Sequence, residues 1–410
     1  PAIGSTKFSN KIQPAEITHA KDICDEEKER LVSGISEWDR VVGGGILPGS
    51  FLLITGDPGI GKSTLLLQVA DKIATNSQVI YFSSEESLSQ VKGRANRLGL
   101  GNTKTLFSDE RSIERIISTI EFQNPDLVVI DSIQSSYLSS SPDTFPGSVS
   151  QLRESAMALM HAAKSSNTSI LITGHITKTG TVAGPKMLEH MVDALFYLQG
   201  EDYWQTRILR SVKNRFGTIN EVGFFQMEEN GLCEVSDINK RLLENATFAP
   251  GSILICSTEG SRPLLLEAQA LCIESKFGSP QRVISGTDHK RVVLISAILE
   301  KYLHVKLSSN DIFFKVSGGV FVKESSSDLG IALSLLSSYF QKPLPPKSMA
   351  LGEISLTGHI KPAKRAQTMA REAQKFGIST ILTANDASLS GNGIEVFKNV
   401  YDLLRLFPED

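Results

Sequence analysis

Cysteine is scarce and scattered in this sequence. Cys24, Cys233, Cys256 and Cys272 are the four in 410 residues, and no two form a CxxC pair. That spacing excludes a four-Cys zinc set and a disulfide framework, and it reads as reduced thiols of a cytoplasmic protein. Long apolar runs are missing as well. Nothing approaches the ~20 residues that a membrane-spanning helix needs; the nearest candidate, VVLISAIL at 292–299, reads as a buried helix. Net charge is almost absent, at −3, so any site for a polyanion has to be local. There is no low-complexity tract and no internal repeat of the length that marks solenoids. The first residues, PAIGSTKFSN, carry no secretory pattern. They start on Pro rather than Met, and the expectation is a trimmed, cytoplasmic chain.

What remains is a chain with 40% apolar and 21% charged residues, long enough for two or three domains with real cores. Residues 1–27 are polar and unpatterned, and are expected to be mobile. Apolar strand-like runs then recur: FLLITG (51–56), VIYFSS (79–84), LVVID (127–131), SILITGH (169–175) and ALFYLQ (194–199). Helical stretches separate most of them. Continuous apolar strands alternating with helices predict an α/β fold with a mainly parallel sheet covered on both faces. This first domain is expected to span 28–236. Polar DINKRLLENATFAPGS reads as a linker centred on 237–248. A second α/β domain over 249–410 is expected to contain strands in SILIC, LLLEAQALC, IFFKVSGG and VFV, and helices near 291–303 and over 328–340.

One motif carries chemistry outright. Gly56-Asp57-Pro58-Gly59-Ile60-Gly61-Lys62-Ser63 fits GxxxxGK[ST], follows an apolar strand and precedes the helical run that Thr64 opens. Its glycines let backbone N–H groups wrap phosphates at a helix N-terminus. Lys62 is placed to reach the β- and γ-phosphates of ATP, and Ser63 to ligate Mg²⁺. Asp131 ends LVVID, where a carboxylate can complete the metal shell. Glu85 follows VIYFSS, read as the strand next to the P-loop strand, and could polarise the attacking water; Glu86 is the alternative. His175 ends SILITGH, at the strand ends where ligands of open parallel sheets collect, and could sense the γ-phosphate. Two irregular, Gly- and Pro-containing segments follow strand ends, 134–151 and 176–190. The second carries Lys178 and Lys186, and together they could line a channel along a phosphate backbone.

Taken in order, these motifs resemble the RecA-like ATPases. The run GHITKTGTVAGPKMLEH, then SVKNRFG (211–217), then a second domain, is similar to the bacterial RadA (Sms) family of DNA-repair ATPases over about residues 28–405. The resemblance implies a homohexameric ring, ATP held between subunits, single-stranded DNA through the centre, and action on branched recombination intermediates alongside the RecA recombinase. It implies that Lys213 and Arg215 reach a neighbour's γ-phosphate. It places DNA contacts in SKFGSPQRVISGTDHKR, at Lys276, Arg282, Lys290 and Arg291. That family normally opens with a four-Cys zinc module. Only Cys24 precedes the ATPase motifs here, so ATP and Mg²⁺ are expected and zinc is not.

The second domain resembles the proteolytic domain of Lon, most clearly in GEISLTGHIKPAKRAQ (352–367). Lon chemistry needs a Ser nucleophile and a Lys base. Alignment on Gly330-Ile331 puts Asp328 at the serine position, and counting from Gly352 puts Gln367 at the lysine position. The expectation is an inactive protease fold. Ser325, Ser326 and Ser327, with Lys361 and Lys364, keep an active protease as an alternative; a nucleotide-switched scaffold is another.

Overall fold

The computed structural model describes residues 17–19, 29–139, 147–175, 184–201, 206–219, 221–244, 246–276, 278–386, 388–389 and 393–408, and at 175, 184–186 and 201 the backbone alone. Helix α1 (Ser36–Val42) leads into β1 (Phe51–Gly56) and α2 (Lys62–Ile73). There follow β2 (Val79–Ser83), α3 (Leu88–Arg97), β3 (Leu106–Ser108), α4 (Ile113–Gln123), β4 (Leu127–Asp131), α5 (Val149–Ser166), β5 (Ser169–His175), α6 (Gly184–Glu189) and β6 (Ala194–Glu201). Then β7 (Thr206–Asn214), β8 (Val222–Glu228) and β9 (Gly231–Glu234) complete a nine-stranded sheet of order β3-β2-β4-β5-β1-β6-β7-β8-β9. Strands β1 to β6 pair in parallel; β6 to β9 form an antiparallel meander.

The apolar strands are continuous because both faces are covered. Leu52, Ile54, Tyr81 and Phe196 point into one core with Trp38 and Leu65, while Leu53, Ile80, Phe82 and Val128 point into another beneath α4 and α5. Local sequence explains the helices. In α4, Ile113, Ile116 and Ile120 recur on one face and are buried; Ser112 caps the start by accepting from the Arg115 amide, and Asn124 ends it in a left-handed conformation.

The second body begins with α7 (Ile238–Leu243), then β10 (Ser252–Glu259), β11 (Arg262–Glu274), β12 (Arg282–Ser285), α8 (His289–Leu303), β13 (Asn310–Val316), α9 (Asp328–Phe340), β14 (Ser348–Leu351), a small β15–β16 pair (Glu353–Ile354, Ile360–Lys361), α10 (Ala366–Lys375), β17 (Thr380–Thr383) and β18 (Ile394–Val396). Its seven-stranded sheet runs β12-β13-β11-β10-β14-β17-β18. Helix α9 is buried almost throughout. It can lie close to β10 because position 330 is glycine, where a Cβ would sit 2.1 Å from the Ile255 side chain.

Several expectations need correction. The segment read as a linker is helical over 238–243 and docks on β11: the Asn239 side chain donates to Pro263 O (3.0 Å) and accepts from Leu265 N (2.9 Å). Its polarity satisfies backbone groups of the sheet rather than solvating a tether. VFV is not a strand; Val322 makes an isolated bridge to Thr287. Residues 184–189, placed in an irregular loop, form α6, which buries Leu188. Strand β2 is separated from β1 by β4 and β5 rather than adjacent to it.

The two bodies share a core. Ile208, Val222 and Phe224 pack with Ile255, Leu264 and Leu266. At the seam the buried Glu37 accepts from Phe224 N (2.8 Å) and from Arg262 (3.2 Å to each oxygen), and Arg262 lies 5.4 Å over the Phe224 ring and donates to Ser236 O. Arg40 also pairs with Glu37. Burial lowers the Arg262 pKa against the pull of Glu37. Breaking such a pair from one side strands the other charge, a cost of about 3–5 kcal/mol. Glu37→Ala is therefore expected to destabilise the chain by that order in urea unfolding; a loss under ~1 kcal/mol would show that the seam contributes little.

Candidate functional site

The P-loop crosses from β1 to α2. Gly56 (φ 154°) could not bear a side chain, since a Cβ would meet Leu198 O at 2.1 Å. Gly61 (φ 111°) precedes α2 in the left-handed region, and no side chain caps the helix there. The first amides of α2 thus lack intrahelical partners and are available to an anion. The buried Lys62 ammonium donates to Gly56 O (2.8 Å) and Asp57 O (3.0 Å), which holds the loop closed around it. Burial lowers its pKa, and the charges of Asp131, Glu85 and Asp57 oppose that shift, so three carboxylates face the one cation.

Asp131 is oriented from two strands. Tyr81 Oη donates to one carboxylate oxygen (2.7 Å) and Thr173 Oγ1 to the other (2.8 Å). Burial and the Asp131 charge push the Tyr81 pKa well up, so the phenol stays a donor. The two donated bonds fix the orientation of the carboxylate. Glu85 accepts from Ser132, just past β4, and at 3.5 Å from Ser135 in the short turn that follows. Glu86 instead pairs with Arg94 on α3. The two adjacent carboxylates are thus separated: one turns to the P-loop side, the other to a helix. The backbone of His175 lies in register with Gly56. Its side chain is outside the described residues, as are Lys178 and the side chain of Lys186.

Lys213 and Arg215 lie elsewhere. Arg215 donates to Asp193 Oδ1 (3.2 Å), and Asp193 also accepts from Phe51 N (3.0 Å) and Lys164 (2.6 Å). Phe51 starts β1 and Gly56 ends it, so Arg215 sits at the opposite end of the strand from the P-loop, about 16 Å away at ~3.3 Å per residue. Lys213 donates to Glu189 O (2.7 Å). Partial burial, then the neighbouring Arg215 charge, lower its pKa.

In the second body the expected basic cluster divides. Arg282 is committed to the carbonyls of Leu307 (2.8 Å), Gln281 and Asn310, and Arg291 to Asp328 (2.9 Å); Lys276 and Lys290 are exposed. Around the Lon-like position, Ser325 donates to Glu353 (2.7 Å), Ser326 to Glu324 (3.3 Å) and Ser327 to Glu324 O (2.9 Å). None of these bonds brings a lysine to a serine hydroxyl, the pairing that Ser–Lys catalysis requires. Gln367 is exposed on α10.

Asp328 is pushed up to about 6, because desolvation outweighs the attraction of Arg291. Its folded pKa lies above the unfolded one, so the native state holds the proton longer. The stability this contributes is present at about pH 4 and is lost as pH rises through about 6. Asp328→Asn should flatten the stability profile over that window; an unchanged profile in pH-dependent melting would rule the group out.

Tyr81, Thr173, Ser132 and Ser135 were not singled out in the sequence. For Tyr81 and Thr173 the one signal is a hydroxyl interrupting an apolar strand, in VIYFSS and SILITGH; Ser132 and Ser135 follow the strand LVVID.

A P-loop strand at the centre of a sheet ordered β3-β2-β4-β5-β1-β6-β7-β8-β9, with carboxylates gathered at the strand ends, defines an ATP hydrolase of the RecA-like P-loop class, here carrying a second, Lon-like α/β domain. An AAA-domain profile matches residues 21–181, and the profile of subunit ChlI of Mg-chelatase matches 280–387. The DNA repair protein RadA of Bacillus subtilis is 44% identical over 416 residues, covering 99% of this chain and 90% of that protein. Those of Listeria monocytogenes (44%, 91% and 82%) and Streptococcus pyogenes (44%, 92% and 84%) are similar. The chain belongs to the RadA family of DNA repair proteins.

Proposed function

We propose that this chain is a DNA-dependent ATPase motor. It would bind single-stranded DNA, move along branched recombination intermediates, and assemble as a ring whose ATP sites are shared between neighbours. The observation that carries this reading is the placement of Lys213 and Arg215 at the far end of β1 from the P-loop. Cations there cannot serve the same subunit's phosphates; Arg215 is exposed and Lys213 half-buried, and in this reading both would serve a neighbour's site. In this reading the P-loop residues 56–64 hold ATP, and Ser63 and Asp131 hold Mg²⁺. When bound, that ion neutralises developing phosphate charge. Lys62 binds and orients the phosphates from its closed loop. Glu85, held by Ser132, takes a proton from the attacking water, and His175 reports the γ-phosphate to the segment that follows it. Lys213 and Arg215 supply cations in trans.

Single-stranded DNA would be followed by Lys178 and Lys186, and duplex phosphates by Lys276 and Lys290, with Arg282 and Arg291 holding that region's shape. The domains would divide within 237–248, and α7 would travel with the second one. The named relatives are DNA repair proteins, which accords with this reading. The deciding experiment is ATP turnover with and without single-stranded DNA over a salt series. Stimulation that fades with salt is expected; DNA-indifferent turnover together with no salt-sensitive binding would end the motor reading.

A further inference from the structure

Between the two bodies lies a cleft of about 600 Å³ that the ATP site does not use. Its walls are the middle of β7, the end of β10, the stretch Lys323–Glu324 and the residues that open α10. Four cations line it, Arg210, Lys323, Lys364 and Arg365, against two carboxylates, Glu259 and Glu324. Both carboxylates are satisfied within the wall. Glu259 pairs with Arg210, and Glu324 accepts from the Thr258 amide (3.2 Å), the Thr258 hydroxyl and Ser326. Among the described residues no carboxylate pairs with Lys323 or Lys364, and both are exposed. The wall thus presents surplus positive charge to a concave surface, which concentrates its field.

Three more observations bear on the ligand. The cleft continues past Gln199 and Phe321 into an adjoining space of similar size, so it is a trough rather than a pit. Phe321 is 48% exposed beside the cations, an aromatic surface with no place in the core. Ser211, buried in the same wall, has a hydroxyl without a hydrogen-bond partner. Cations that can track phosphates beside an aromatic that can stack a base are what a single strand of nucleic acid requires. A free anion or an acidic peptide has no use for the ring.

We infer that this trough binds a single nucleic-acid strand, with phosphates on Lys323, Lys364 and Arg365 and a base against Phe321. The inference rests on the DNA-binding reading above and adds a site to it. It also has a mechanical corollary. Ser211 and Val212 line the cleft and precede Lys213 on the same strand, with Arg215 just past its end, so an occupied trough would press on the element that leads to the proposed trans cations.

The test is fluorescence anisotropy of a labelled oligothymidine on the full chain across a salt series. Each lost phosphate contact on a single strand reduces the salt slope by about 0.7, so Lys323→Ala/Lys364→Ala should lower it by about 1.4. Affinity at moderate salt should drop roughly tenfold or more. Phe321→Ala should weaken binding roughly tenfold with the slope unchanged. Lys323→Arg/Lys364→Arg should behave as wild type. DNA-free ATP turnover should be unaltered in all three variants, which checks folding. If the wild-type chain binds no oligothymidine, the motor reading fails with this one. If it binds and the alanine variants match it in affinity and slope, the trough alone is overturned. If the double variant loses only thermal protection by inorganic phosphate or ATP, the trough holds a free anion and the strand assignment is wrong.

Discussion

Arg215→Ala subunits are expected to bind ATP with unchanged affinity and to hydrolyse it about 10³- to 10⁵-fold more slowly, the range seen when an arginine finger is removed. The affinity should survive because nothing at the P-loop touches Arg215; its contacts are with Asp193 at the other end of β1. The fold should survive too. The Arg215 side chain is 59% exposed, and the buried Asp193 keeps Lys164 and the Phe51 amide. An exposed pair of this kind contributes ~0–1 kcal/mol. Lys213→Ala should act in the same direction. The decisive measurement is mixing. On the proposed shared site, Arg215→Ala and Glu85→Ala subunits should each be inactive alone, while together they would form sites with Glu85 from one subunit and Arg215 from the next. Activity should reappear on mixing, and a mixture no more active than its parts would remove the shared site.

For Asp131→Asn, turnover should fall by roughly 10³-fold, taking several kcal/mol as the worth of a correctly held metal in the transition state. The structure makes this substitution harsher than its size suggests. Tyr81 and Thr173 both donate to the carboxylate. An amide accepts at one atom only, so its NH₂ group would face a hydroxyl built to donate. Tyr81→Phe and Thr173→Val remove one orienting bond each, worth about 1 kcal/mol, and should slow turnover about fivefold with the metal requirement intact. Turnover near wild-type in Asp131→Asn, measured at saturating Mg²⁺ and ATP, would remove the carboxylate from the metal shell.

Much of this was legible in the sequence, for physical reasons. Strands covered on both faces have to be apolar throughout, so β1, β2, β4, β5 and β6 declared themselves. The P-loop did so because only glycine tolerates the backbone at positions such as 56 and 61. The antiparallel meander was harder to see. In β7, TRILRSVKN mixes charged and apolar residues because its far side meets the second body rather than helices. The order of strands is not local information, so β2 was read beside β1 when two strands intervene. Polar α7 was read as a tether because its polar residues serve tertiary contacts: Asn239 is among the most buried polar side chains of the chain. Exposed charge was the least legible property. Four basic residues looked equivalent between 276 and 291, and only coordinates show that the two arginines are occupied by carbonyls and by Asp328.

The far-end position of Arg215 has a consequence for how activity scales. If the P-loop is one half of a reaction centre and the cation pair is the other, a single chain owns two halves and no whole. An open row of subunits then always wastes one half at each tip, and closing the row recovers both. Turnover per subunit should therefore climb with protein concentration and level off once rings close, so that dilution alone switches the enzyme off.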